Sequence, residues 1–271
     1  TVPSTRGGGS NEPFLKWVGG KRQLLTEIRE RMPKTFHRYF VPFLGGGTLF
    51  FHLRPGKAIL SDTNEELILT YRTVRDKVSP LIKLLSSYPR EEQFYYRLRE
   101  QDMSGASAVE RAARFLYINR CGFNGLWRVN QKGQCNVPFG KNTAPVCDAE
   151  RLRGCSRSLQ KAEISRVDFA VVCSEVRQGD FVYFDPPYVP LSETSRFTEF
   201  TKRAFTMDDQ KRLRDVAVTL RRRGVHVLLS NSGSPLVGEL YQGFQIDEVD
   251  ARRAINSNTE ARGPVKEVLI R

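Results

Sequence analysis

RYFVPFLGGGTLFFHLRPGKAILSD, residues 38–62, is the stretch on which the reading of the fold turns. Arg38 to Leu44 has strand composition, Gly45-Gly46-Gly47 breaks it, and Thr48 to Leu53 reads as the start of a helix. Lys57 to Leu60 is a second short strand, ending at Asp62. Toward the N-terminus, Phe14, Leu15, Trp17, Leu24, Leu25 and Ile28 recur at partly helical spacing, and Gly19-Gly20 interrupts them ahead of an amphipathic helix led by Lys21. Residues 1–12 (TVPSTRGGGSNE) are small, polar and Gly-rich and are expected to form a flexible leader, with order starting near Pro13. Toward the C-terminus the pattern is helical from about 63 to 120, carried by Leu67, Ile68, Tyr71 and Val74, then Phe94, Tyr95 and Leu98, then Ala112, Phe115, Leu116 and Ile118. Strands return at Phe181 to Phe184 and Val225 to Ser230 around a helix over Met207 to Arg222, with two more around Phe244 to Val249 and Lys266 to Ile270. Strands alternating with helices predict an α/β sheet, and the helical middle reads as an insertion into it.

Two short motifs bear on chemistry. The first is Phe43-Leu44-Gly45-Gly46-Gly47, followed 15 residues after Gly47 by Asp62 at the tip of the next strand. Glycines let a backbone approach a cofactor closely, and an acid so placed can accept both hydroxyls of a ribose. The bland alternative is an ordinary glycine turn. No Lys-Ser or Lys-Thr follows the glycines, which disfavours a phosphate-cradling loop. A pocket for S-adenosylmethionine, which has no phosphates, needs none.

The second motif is Asp185-Pro186-Pro187-Tyr188, directly after the apolar strand. The exocyclic amine of adenine is a poor nucleophile because its lone pair is delocalised into the ring. The Asp185 carboxylate and the Pro186 carbonyl can each accept one amine hydrogen and leave that pair free to point at a sulfonium methyl. Two prolines fix φ and bring no N–H donors, so the acceptors are held rigidly. Tyr188 is placed to stack on the base, which must leave the duplex to arrive there. Asp-Pro-Pro is also a common strand ending. Together the two motifs are more specific than either, since both fall at carboxyl ends of strands, where open α/β sheets bind ligands.

Composition narrows the partners. Lys and Arg total 43 against 30 Asp and Glu, a formal charge of +13, which suits a polyanion, with nucleic acid ahead of an anionic membrane. No apolar run approaches the roughly 20 residues a bilayer needs. Cys121, Cys135, Cys147, Cys155 and Cys173 include no CxxC pair, and His37, His52 and His226 are scattered, which argues for a reducing compartment and against a metal site. No Pro-Cys dipeptide occurs, so the attacking thiol of a cytosine-C5 methyltransferase has no candidate. Arg221-Arg222-Arg223 near a helix end reads as capping and solvation.

Ordered blocks carry a resemblance that runs along nearly the whole chain from Phe14 onward. They are Phe14-Leu15-Lys16-Trp17 with Gly19-Gly20-Lys21, the turn at 45–47, Asn119-Arg120 through Asn124-Gly125-Leu126, and Asn136-Val137-Pro138-Phe139-Gly140. Asp185-Pro186-Pro187-Tyr188, Leu191-Ser192, Phe197-Thr198 and Ser230-Asn231 follow. In these the chain resembles the Dam-type DNA adenine-N6 methyltransferases. The resemblance implies a Rossmann-like methyltransferase sheet formed by 13–62 and 163–271, and an inserted, mainly helical target-recognition domain over 63–162 with a DNA-reading hairpin at about 120–142. It implies S-adenosylmethionine as cofactor, leaving as S-adenosylhomocysteine, and duplex DNA as partner, with adenine flipped out of GATC. A monomer in the cytoplasm follows by the same likeness, serving restriction–modification or DNA replication and mismatch repair.

By that resemblance Trp17, Lys21, Phe43, Gly45, Gly47 and Asp62 line the cofactor pocket, and Asp185, Pro186 and Tyr188 are catalytic, Asp185 and Tyr188 being shared with the cofactor. Lys16, Leu126, Arg128 and Pro138 stand where the family reads bases, and Phe123 where it probes the unstacked duplex. The segment Arg120 to Lys141 interleaves cations, amides, aromatics and glycines. Arg128 suits bidentate contact with guanine, while Arg120, Asn124, Asn130, Asn136 and Lys141 suit backbone or base contacts. Ser192 opens a polar, basic run to Ala204 that is expected to order over the flipped nucleotide. Two positions depart from the family: Val41 stands where Glu is common before Pro-Phe, and Asn142 where the recognition loop has an aromatic. Two rival readings remain: the same amine chemistry on cytosine N4 or on RNA adenine, and a DNA-binding regulator that has kept the fold without catalysis.

Overall fold

The computed structural model describes residues 12–125, 127–130, 134–189, 205–252 and 264–271. A 3-10 turn, Lys21–Leu24, runs into α1 (Leu25–Arg31), and β1 (Tyr39–Val41), α2 (Thr48–Leu53) and β2 (Ala58–Asp62) follow. Five helices come next: α3 (Glu65–Asp76), α4 (Val78–Ser86), α5 (Glu92–Glu100), α6 (Ala108–Cys121) and α7 (Ala149–Leu159). The chain then returns to the sheet through β3 (Ala162–Arg166), α8 (Phe169–Cys173), β4 (Phe181–Phe184), α9 (Met207–Arg222), β5 (His226–Ser232), α10 (Pro235–Leu240), β6 (Ile246–Arg252) and β7 (Pro264–Ile270).

The seven strands form one sheet in the order β3-β2-β1-β4-β5-β7-β6. The first five are parallel, while β7 runs antiparallel to both β5 and β6. The expected α/β sheet is present. β1 and β4 carry YFV and FVYF with every residue buried, as strands covered on both faces require. Alternation sorts their side chains: Tyr39, Val41, Phe181 and Tyr183 join one core, and Phe40, Val182 and Phe184 the other.

Chain order matters for function. From β1 the chain builds outward to β2 and β3, then crosses back to place β4 on the other side of β1. The crevice at the carboxyl ends of β1 and β4 is therefore the topological switch point, where ligands bind in open α/β sheets. Both sequence motifs begin there, the glycine turn just beyond β1 and Asp185 directly after β4.

Sequence reading assigned no strand to Ala162–Arg166, yet it pairs with β2 along its whole length, from Ala58↔Ala162 to Asp62↔Arg166. Its AEISR composition has little intrinsic strand preference, and pairing with the sheet edge supplies what composition lacks. Helix α3 serves two layers. It packs on β2, β3, α6 and α7, and the guanidinium of Arg72 donates twice to the Ile164 carbonyl at 2.9 and 2.7 Å. Helix starts follow local chemistry, with capping boxes at Ser107/Glu110 before α6 and Thr206/Asp209 before α9. Among the described residues no helix is long and apolar enough to cross a membrane.

Candidate active site

One side of the crevice is built around Gly45 and Asp62. Gly45 and Gly47 have φ of +47° and +65°, the left-handed region that side chains rarely adopt. There is also no room for a side chain at either. A Cβ on Gly45 would stand 2.8 Å from Trp17 Cδ1, and one on Gly47 2.6 Å from the Tyr71 hydroxyl. Asp62, at the end of β2, accepts the Gly45 N–H at 3.2 Å on Oδ2 and the Asn64 N–H at 3.0 Å on Oδ1. Burial pushes its carboxyl up, and backbone N–H groups from Asn64, Gly45, Thr63 and Leu44 pull it back down. The Tyr71 hydroxyl donates to the Gly45 carbonyl at 3.1 Å, so the turn is pinned on both its donor and its acceptor. Phe43 stacks on Phe169 at 5.3 Å and meets Phe205 edge-on at 5.6 Å, as part of the second core. Val41 is buried in the first core, where an aliphatic side chain needs no polar partner.

On the other strand the turn after β4 is anchored from beneath. Gln210 of α9 donates to the Pro187 carbonyl at 2.8 Å, and the Asn231 side chain accepts the Val189 N–H at 3.1 Å. Asn231 in turn donates to Gln210 at 3.3 Å. Three consecutive polar residues at the end of β5, Ser230, Asn231 and Ser232, are buried. The Ser230 hydroxyl donates to Asp185 Oδ1 at 3.0 Å and shares a hydrogen bond with the Tyr183 hydroxyl.

Lys21 joins the two halves. It is only 5% exposed, with Nζ 2.8 Å from Asp185 Oδ1 and 2.5 Å from the Gly19 carbonyl. The same ammonium lies over the Tyr188 ring at 4.6 Å from its centre, a cation–π arrangement. The Tyr188 hydroxyl donates to Glu267 at 2.5 Å. Burial first, then the neighbouring Asp185 and Glu267 carboxylates, push the Tyr188 hydroxyl well above the ordinary tyrosine range. Lys21, Asp185 and Tyr188 thus meet across the crevice, Trp17, Gly45 and Asp62 meet beside it, and Phe43 packs into the second core.

The second group of predicted residues lies on the segment after α6. Antiparallel bridges join Gly122 to Phe139 and Val129 to Cys135, and backbone bonds link Phe123 to Pro138 and Asn136 to Arg128, so the described residues of the segment pair as a hairpin. Lys16, Phe123, Asn124, Arg128, Asn136, Pro138 and Lys141 are exposed, Phe123 at 47% despite its size. Arg128 donates to Asn136 across the hairpin at 2.8 Å, and Asn130 pairs with Gln134. Arg120 differs, because it is half-buried and donates to the Pro145 carbonyl at 2.9 Å. Burial lowers its pKa, and the contact holds the loop behind the hairpin. Asn142 caps its own turn through the Ala144 N–H at 2.9 Å. Leu126 and the run from Ser192 to Ala204 lie outside the described residues.

Sequence reading singled out neither Gln210 nor Glu267, and it gave Asn119, Ser230 and Asn231 no role within their blocks. Asn119, buried in α6, exchanges two hydrogen bonds with the Lys16 backbone, at 3.0 and 2.8 Å, and donates to the Gly125 carbonyl at 2.8 Å. It ties the N-terminal segment at Lys16 to the start of the hairpin at Gly125. A run of three polar residues closing an apolar strand, His226–Ser232, is the signal that would have found Ser230 and Asn231. Nothing local marks Glu267, whose partner is 79 positions away. The thiols of Cys155 and Cys173 are pushed up to about 12 by burial, which leaves them poor nucleophiles.

Comparison with known proteins accords with this arrangement. Residues 17–255 match the family model of the D12 class N6 adenine-specific DNA methyltransferases. A type II methyltransferase of Lactococcus lactis subsp. cremoris is 46% identical over 95% of this chain and 94% of its own length. One from Methanocaldococcus jannaschii is 40% identical over 93% and 95%, and the DNA adenine methylase of Escherichia coli K12 is 35% identical over 96% and 94%. With the family match spanning the switch point, the hairpin and both motifs, the chain belongs to the D12 class of N6 adenine-specific DNA methyltransferases and is an adenine-specific DNA methyltransferase.

Proposed function

We propose that the protein transfers the methyl group of S-adenosylmethionine to N6 of an adenine flipped out of duplex DNA at GATC. The observation that carries the reading is the meeting of two motifs at one switch point, with Lys21 bonded to Asp185 across the crevice. The residues present fit this cofactor. A glycine cradle that any Cβ would fill lies beside Trp17, and the Asp62 carboxylate at the next strand end has lone pairs beyond those given to Gly45 and Asn64 for ribose hydroxyls. Bound there, the cofactor supplies an electrophilic methyl on a sulfonium.

The chain's own residues prepare the amine. Lys21 and Ser230 both donate to Asp185 Oδ1, so Oδ2 is the oxygen that accepts an N6 hydrogen, and the Pro186 carbonyl accepts the other. With both hydrogens held, the nitrogen lone pair turns toward the methyl carbon. S-adenosylmethionine held by these residues would give up the methyl and keep the C–S pair as a neutral thioether. The nitrogen becomes positive and releases one N6 proton through Asp185, whose side chain is 24% exposed, to solvent. Tyr188 stacks on the base and presents a ring face that favours positive charge. Asp185, Lys21 and Ser230 are placed before substrate arrives, so little reorganisation is needed when charge develops.

Recognition falls to the hairpin. Arg128 has the geometry for guanine O6 and N7 and Lys16 reads a base beside it, Phe123 fills space left by unstacked bases, and Lys141 adds positive charge near phosphates. The test is incubation with labelled S-adenosylmethionine and unmethylated DNA, with nucleoside identification and site mapping. N6-methyladenine confined to GATC supports chemistry and recognition together. Modified adenine in other contexts removes the GATC assignment and directs attention to Asn142. N4-methylcytosine, modified RNA, or tight DNA binding without transfer sinks the catalytic reading.

A further inference from the structure

The mechanism above uses only the face of the Tyr188 ring, yet its hydroxyl is engaged as well. It donates to Glu267 Oε2 at 2.5 Å, a charge-assisted bond of the strong kind. Glu267 is on β7, opposite Ser232 of β5 and Val249 of β6, so both neighbours in the sheet fix its backbone. The approach of β7 to the end of β5 is tight: a Cβ on Gly233 would lie 3.0 Å from both the Lys266 Cβ and its carbonyl oxygen. Tyr188 follows two prolines on a turn beyond the end of β4. The terminal torsion of a tyrosine is broad, and a hydroxyl tied to a sheet strand removes that freedom.

The bond has an electronic consequence too. A phenol that donates to a carboxylate gains electron density in its ring, and the face of this ring meets a positive charge, the Lys21 ammonium at 4.6 Å. We infer that Glu267 is a positioning residue for methyl transfer: through the Tyr188 hydroxyl it fixes the ring and enriches the face against which positive charge develops on the target amine. The inference rests on the catalytic reading given under Proposed function. It extends the site to a strand that neither motif touches.

The experiment is a double-mutant cycle read by single-turnover methyl transfer to unmethylated duplex DNA, with dissociation constants for DNA and S-adenosylhomocysteine and a thermal melt for every variant. Glu267→Ala is expected to slow transfer about tenfold, the scale of a lost hydrogen bond to a charged group, with DNA and S-adenosylhomocysteine affinities kept. Glu267→Gln retains an acceptor without the charge and should recover part of the rate. On a Tyr188→Phe background, which lacks the hydroxyl, Glu267→Ala should change the rate less than about twofold. Equal losses on both backgrounds, or a loss confined to DNA affinity, overturn the inference while leaving the catalytic reading intact. Wild-type protein that transfers no methyl to adenine overturns both.

Discussion

The switch-point site and the hairpin after α6 are built on opposite plans. Around Asp185 the polar side chains are buried or half-buried and fixed by partners: Lys21 and Ser230 on the carboxylate, Glu267 on Tyr188, Asn231 and Gln210 under the turn. On the hairpin, Arg128, Asn136, Pro138 and Lys141 are exposed, and two isolated bridges hold the strands in register. The difference teaches where each activity gets its free energy. On the proposed function, methyl transfer draws on dipoles fixed during folding, which act in a poorly solvated site and need not reorganise. The proposed DNA reading draws on side chains that stay solvated until a duplex replaces the water. Damage to the first region should therefore remove turnover with little change in DNA binding, and damage to the second should do the reverse.

Asp185→Ala should produce the largest effect. It deletes the acceptor proposed to localise the amine lone pair and leaves the buried Lys21 ammonium without the Asp185 carboxylate. Methyl transfer should fall by at least about a thousandfold, the scale of losing a principal electrostatic contributor. DNA affinity, measured by anisotropy, should stay within about twofold, because the proposed hairpin contacts to phosphates and base edges are kept. Near-wild-type turnover in this variant would show that the two regions do not divide the work as argued.

Gly45→Ala is next. The left-handed φ costs roughly 1–2 kcal/mol for any residue with a Cβ, and here the added atom also meets Trp17 at 2.8 Å. Because Trp17 is a predicted wall of the cofactor pocket, calorimetry should show S-adenosylmethionine binding weakened by about tenfold or more, with a lower Tm. Unchanged cofactor affinity would place the pocket away from this turn.

How far these regions were legible in the sequence follows the same division. The glycine turn and the Asp-Pro-Pro-Tyr turn are local, since their glycines and prolines encode backbone geometry that reads the same before and after folding. Strand β4 and helix α9 were legible to the residue, because Phe181–Phe184 is uniformly apolar and α9 opens on a Thr206/Asp209 capping box. What stayed hidden is held by long-range pairing. Ala162–Arg166 becomes a strand only against β2, and Glu267 matters only once β7 lies against β5. Arg120 reads as a DNA contact by charge and neighbourhood, and its Nε donates to the Pro145 carbonyl, a partner 25 positions away that nothing local marks.

The smaller effects belong to the hairpin and divide it further. Arg128 is exposed and steadied by Asn136 at 2.8 Å, poised for a base edge, so Arg128→Ala should cost about 1–3 kcal/mol and relax selectivity at one position of the site. Lys141, exposed beyond the last hairpin bridge, is suited to a phosphate. Its replacement by Ala should weaken binding by a similar factor on every sequence and lower the slope of log K against log salt by about one. Comparing the two variants over a salt series on GATC and scrambled duplexes separates reading from holding. If Lys141→Ala alters sequence preference while Arg128→Ala changes only the salt slope, the roles are exchanged, and the base-reading face of the hairpin lies at its stem rather than its tip.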